Sequence, residues 1–135
     1  MGLNGMISVF NDETEYLKTH KNEINYVIGV TRSQSYSKEI YDFFGRLEGK
    51  KDNLKIKRKF LFGKDAKGNW PAIEKSKLCG VKYLPYSSIV SINIYGETLI
   101  ISIFNEEPIF FVIKSKDVAK DFREYFKMLW KQAKW

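Results

Sequence analysis

The hydrophobic pattern divides the chain into stretches of period near 3.6 and stretches of period two. The clearest helical stretch closes the chain. From Val118 the apolar positions run Val118, Ala119, Phe122, Tyr125, Phe126, Leu129, Trp130 and Ala133, one stripe on a helix. Lys116, Lys120, Arg123, Lys127, Lys131 and Lys134 fall on the other face. Four large aromatics on one stripe need a broad apolar surface to cover. The strands predicted just before it, Ile89–Tyr95, Thr98–Phe104 and Pro108–Ile113, can supply one as a meander turning at Gly96 and at Asn105–Pro108.

Upstream, helices and strands alternate. Met6, Ile7, Phe10, Thr14 and Leu17 approximate one face of a helix over Gly2–Lys21, with Asn11, Asp12, Glu13 and Glu15 on the other. Glu23–Val30 reads as a strand, and Gly29 inside it points to a close approach or a bulge. Thr31–Ser37 is a polar loop. Ser37 is placed to cap a helix through Ile40, Phe43, Phe44 and Leu47, ending near Gly49. Asn53–Phe62 is a second strand, with Ile56, Phe60 and Phe62 at alternate positions. A turn-rich loop over Gly63–Pro71, a short helical turn in Ala72–Leu78 and a strand at Gly80–Tyr83 complete the order.

Crossovers between early strands imply parallel pairing, and direct links between later ones imply antiparallel hairpins. The expected fold class is therefore α/β, a mixed sheet with helices packed on it, with residues 1–135 as one domain. The size suits that, and 10 Phe, 8 Tyr and 3 Trp provide a core. Cys79 is the only cysteine, so an internal disulfide is excluded. Apolar runs fall far short of the ~20 residues that span a bilayer. No basic leader precedes an apolar run, and a soluble cytoplasmic protein without membrane contact is expected.

Net charge is +7. The densest basic run, Lys50–Lys67, carries Lys50, Lys51, Lys55, Lys57, Arg58, Lys59, Lys64 and Lys67 against Asp52 and Asp65. Two readings stand. Lys55, Lys57, Arg58, Lys59 and Lys64, with nearby aromatics, form a nucleic-acid surface. Alternatively, Phe60 and Phe62 enter the core while the basic side chains simply face water.

Catalytic constellations are mostly missing. His20 is the only histidine, on the polar side of a helix beside Lys18 and Lys21. No zinc motif, P-loop, dinucleotide fingerprint or G-x-S-x-G turn occurs, so neither metal nor cofactor is expected. Cys79 reads as a packed, inert thiol. The pairs Asp12/Glu13 and Glu106/Glu107 read as solvated carboxylates.

Several runs in order resemble the C-terminal effector domain of archaeal TrmB-type sugar-sensing transcriptional regulators. They are Gly80-Val81-Lys82-Tyr83-Leu84-Pro85, Ile92-Asn93-Ile94-Tyr95-Gly96-Glu97-Thr98-Leu99-Ile100-Ile101 and Glu107-Pro108-Ile109-Phe110-Phe111-Val112-Ile113-Lys114-Ser115-Lys116. Ala119, Phe122-Arg123, Tyr125-Phe126 and Leu129-Trp130-Lys131 follow; Gly2-Leu3-Asn4-Gly5-Met6 and Tyr26-Val27-Ile28-Gly29 extend the resemblance forward. It implies a fold similar to one phospholipase D repeat. Enzymes of that fold use H-x-K-x4-D, and Ser88, Val90 and Tyr95 hold the corresponding spacing here, so the resemblance implies no catalysis. It also implies a winged-helix DNA reader ahead of the domain. The chain is expected to be a solitary effector-like protein or a piece of a longer regulator, with a separate DNA-binding regulator as partner.

Three functions follow as expectations. The first is a sensing module for a sugar or other small metabolite at the carboxyl ends of the parallel strands, using Thr31, Arg32, Ser33 and Gln34 with Ser91, Asn93 and Tyr95. Its bland counterpart is a connecting loop beside the wet face of a strand. The second is nucleic-acid binding through the basic run. The third is a homodimer, as the resemblance to paired repeats implies, with Trp130 and Trp135 at the contact.

Overall fold

A computed structural model describes residues 3–32 and 35–135. Its elements are α1 (Leu3–Lys18), β1 (Asn25–Val30), α2 (Lys38–Asn53), β2 (Arg58–Gly63), α3 (Pro71–Glu74), β3 (Cys79–Leu84), β4 (Val90–Tyr95), β5 (Thr98–Ile103), β6 (Ile109–Lys114) and α4 (Lys116–Gln132). The strands form one six-stranded sheet in the order β3-β2-β1-β4-β5-β6. β1, β2 and β3 are parallel, whereas β4, β5 and β6 form an antiparallel meander joined to β1. The mixed sheet expected from the element order is the sheet found.

Each face of the sheet is covered differently. The aromatic core lies on the face shared with α1, α2 and α3, where Phe10, Phe44, Phe104 and Phe110 meet edge to face. On the other face α4 is the one helix among the described residues. Ala119, Val118 and Phe122 pack on Ile94, Leu99 and Ile101, while Phe126 reaches Tyr26 of β1. Trp130, at the far end of α4, lies over Gly80 of β3. Ser115 caps α4 by accepting from the Val118 N–H at 3.3 Å, and Ser37 caps α2 from Ile40 at 3.2 Å.

At Gly29, where a close approach or a bulge was expected, the structure has both. Gly29 has φ of 98°, and the β1–β2 register shifts between Ile28 and Val30. A Cβ there would run into the Val90 carbonyl oxygen of β4. The largest difference from the expected boundaries lies between α2 and β2. α2 does not stop near Gly49 but continues to Asn53, so β2 begins at Arg58 rather than Asn53. The extra turn carries Lys51, which is buried beside Glu48 of the preceding turn. The chain then reverses through Lys55 at φ 62°.

Candidate functional site

The residues expected to hold a small ligand meet at one end of the sheet and part at the other. Thr31 follows β1, and Ser91 stands near the start of the antiparallel β4, so both lie at the carboxyl ends of the parallel strands. The Thr31 hydroxyl donates to the Asp65 carboxylate at 3.1 Å, and the Ser87 hydroxyl donates to the same carboxylate at 2.5 Å. The Thr31 carbonyl accepts from Trp70 Nε1 at 2.8 Å. Arg32 is exposed, and Ser33 and Gln34 lie outside the described residues. Asn93 is mid-strand. Tyr95 is beyond the Tyr26–Ile94 pair, at the amino end of β1. At ~3.3 Å per residue, it stands about 13 Å from Ser91.

Ser91, Asn93 and Tyr95 do share a face, but that face is not wet. All three are buried, because α1 and α2 cover it. Between helices and sheet is a cavity of about 50 Å³ whose polar lining includes Ser91, Asn93, Ser102, Glu48 and Lys51. Such a space takes a few waters at ~10–15 Å³ each. Ligand pockets ordinarily measure about 300 Å³ or more.

Beside this cavity lies an ionic cluster that breaks up the basic run. Lys51 Nζ is 2.5 Å from Glu13 Oε1 and 3.7 Å from Glu48 Oε2, and it donates to Asn25 Oδ1 at 3.1 Å. Asn25 Nδ2 donates in turn to Asn93 Oδ1 at 2.8 Å. Arg58 Nε donates to Glu48 Oε1 at 3.0 Å, and its Nη2 donates to Asp52 Oδ1 at 2.7 Å. Glu13, Lys51 and Arg58 are 0%, 1% and 1% exposed. Burial raises the Glu13 pKa above its ordinary value, and Lys51 and Asn93 only partly oppose it. Burial works against the Lys51 ammonium, but Glu13 and Glu48 outweigh it and hold that pKa high.

The structure overturns two expectations. Arg58 is not a surface cation. Strand alternation puts it on the same face as Phe60 and Phe62, against α2. Glu13 is not solvated; it falls on the buried stripe Met6, Phe10, Glu13, Thr14, Leu17. That spacing, together with Lys51 four residues after Leu47, was the available signal. Lys55 and Lys57 are exposed before β2, Lys64 is exposed after it, and Lys59 is half-buried on the α4 face.

On that α4 face the structure assembles a different basic site. Lys59 Nζ lies 5.2 Å from the Trp130 ring centroid. Lys82 Nζ lies 4.8 Å from Trp130 and 4.7 Å from Trp135, and it donates to the Trp130 carbonyl at 3.1 Å. Gly80 makes room: a Cβ there would stand 3.3 Å from the Trp130 indole. Tyr83 and Lys134 exchange backbone hydrogen bonds of 2.7 and 3.1 Å, which brings Trp135 back over β3. One groove of about 430 Å³ is lined by Lys64, Lys67, Tyr83, Lys134 and Trp135. A second, of about 440 Å³, is lined by Lys59, Lys127, Trp130 and Lys131, with Glu124 as its acidic residue. Lys59 and Lys64 are close in sequence, whereas Lys82, Lys127, Lys131 and Lys134 join them from remote segments, so no local pattern marks the group.

The remaining chemistry-bearing groups are scattered. His20 is exposed and stacks on Tyr16 with ring centroids 3.9 Å apart. Burial pushes the Cys79 thiol pKa up to about 11, as suits a packed cysteine. Ser88 lies two residues before β4, Val90 at its start and Tyr95 at its end. Among the described residues no cluster of three His, Cys, Asp or Glu side chains could hold a metal ion, and no helix is long and apolar enough to cross a membrane.

No protein-family model matches the chain, and no curated protein does. A solved structure does: TrmBL2, described as an archaeal chromatin protein with a novel mode of DNA binding, aligns with a TM-score of 0.60 at 15% identity. The alignment covers 91% of this chain and 48% of TrmBL2, so the chain spans about half the length of that neighbour. The α/β fold with a mixed sheet expected for the chain is thus the fold found, and over nearly the whole chain it is similar to part of TrmBL2, a protein of the TrmB type that the sequence resembles.

Proposed function

We propose that the chain is a non-catalytic binding module related to TrmB-type regulators, and that it binds nucleic acid through the lysine and tryptophan face of β2, β3 and α4. The carrying observation is the convergence of Lys59 and Lys82 on Trp130 and Trp135, ringed by Lys64, Lys67, Lys127, Lys131 and Lys134. Ammonium groups on flexible stems meet phosphates, and an indole edge 75% exposed at Trp135 offers a stacking surface. The DNA binding of the similarly folded TrmBL2 supports the same reading. Binding should fall steeply with salt. Four lysines on phosphate give a log–log slope of about −3.6 on duplex DNA, a ~150-fold loss between 50 and 200 mM salt. Fluorescence anisotropy with labelled duplex and single strands measures it. The triple variant Lys127→Ala, Lys131→Ala, Lys134→Ala changes exposed or chain-end side chains and should flatten the slope. No binding at 50 mM salt, or an unchanged slope in the variant, ends the proposal.

A second reading is sensing of a sugar at the carboxyl ends of β1–β3. It is favoured by the Asp65 carboxylate, which gathers the Thr31 and Ser87 hydroxyls there. A sugar would have to displace Ser87 and open the crevice, since the enclosed cavity is about 50 Å³. Isothermal titration with maltose, glucose and trehalose should then give heat that Asp65→Asn abolishes; silence across that panel sinks this reading.

A further inference from the structure

The two edges of the sheet are treated differently. At β3 the edge is covered where Lys134 bridges to Tyr83. At β6 no strand lies beside the edge among the described residues. β6 pairs with β5 in unbroken register from Ile109 to Lys114, with no bulge, proline or inward charge within its apolar run. Ile109, Phe111, Val112 and Ile113 are 40%, 51%, 41% and 36% exposed. An uncovered strand of this kind is a template for another strand, and natural sheets ordinarily blunt it. α4 leaves this side of its own face uncovered, so Val90 and Ile109 remain exposed across the register from Ile103.

We propose that β6 is the seat of a symmetric dimer, in which the β6 strands of two copies pair antiparallel about Phe111. In that register Phe111 faces its own copy, Ile109 faces Ile113, and Phe110 faces Val112, so apolar residues meet apolar ones throughout. The same register carries the Glu106–Glu107 turn of each copy to the Lys114 and Lys116 end of the other. That charge complementarity is what selects a second copy over an unrelated strand. A two-fold axis normal to the sheet makes the contact isologous and joins both six-stranded sheets into one. Both α4 helices then lie on the same side. Nine strand spacings of ~4.8 Å place the two β2 strands roughly 40 Å apart. The pairing does not rest on the nucleic-acid reading, since β6 lies at the opposite edge from β2 and β3.

Sedimentation velocity on the full chain, up to about 200 µM, tests it by the concentration dependence of mass. Phe111→Glu and Phe111→Lys each place like charges across the axis and should weaken association ~50-fold or more. Position 111 is half exposed, so the far-ultraviolet circular dichroism of each variant, and its melting at a concentration where the parent is monomeric, should match the parent. An equimolar mixture of the two variants should recover the dimer, because only in the heterodimer do glutamate and lysine face each other. A parent chain that stays monomeric at the highest concentration overturns the proposal. So do variants that remain dimeric, and so does a mixture that fails to associate.

Discussion

Replacing Lys51 by methionine tests how the buried cluster is balanced. The ammonium is 1% exposed and sits 2.5 Å from Glu13 and 3.7 Å from Glu48. Methionine keeps most of the volume but leaves Glu13 without its cation and Glu48 with Arg58 alone. Removing one partner of a buried ion pair costs ~3–5 kcal/mol. With a urea slope of about 1.5 kcal/mol/M, the midpoint of unfolding should fall by roughly 2–3 M. The loss should depend on pH in a defined direction. Burial raises the folded pKa of Glu13 above its ordinary value of 4.5, so the folded state holds that proton more tightly than the unfolded chain. Its contribution is complete below the unfolded pKa and is lost as pH rises through the folded one. Without Lys51 the folded pKa climbs further. Lowering the pH through that widened window should restore up to ~1.4 kcal/mol per unit relative to the parent. Urea titrations at pH 5, 6.5 and 8 measure this, and Glu13→Gln combined with Lys51→Met should relieve most of the defect at pH 8. A loss below ~1 kcal/mol, or one equal at pH 5 and pH 8, would show that the cluster is not an interdependent buried unit.

Two further substitutions probe the fold. Phe126 is 1% exposed between Tyr26 and Trp130, so Phe126→Ala should cost ~3–5 kcal/mol, whereas half-buried Phe122→Ala should cost about half as much by thermal or urea unfolding; equal losses would contradict this account of α4. Gly29→Ala should destabilise by more than ~1 kcal/mol, because it adds strain at φ 98° to a clash with the Val90 carbonyl, and a neutral result would mean that β1 and β4 separate freely there.

The chain's own pattern determined a good deal. Period and turn chemistry located the elements, because each depends on neighbours within a few residues. The stripe from Val118 to Ala133 is α4, Ser37 is a helix cap, and the direct succession of three late strands is the antiparallel meander. Gly29 pointed to the bulge and close approach that β1 makes there. What lies across the sheet was decided only by tertiary structure. Alternation predicted that Ser91, Asn93 and Tyr95 share a face, yet whether that face meets water depends on where α1 returns. Arg58 looked like its neighbours Lys57 and Lys59 because charge carries no direction until α2 supplies Glu48 and Asp52. The candidate binding surface was the least legible part. Lys59, Lys82 and Trp130 are far apart in sequence, and only the β2–β3 register and the diagonal path of α4 bring their side chains onto one face.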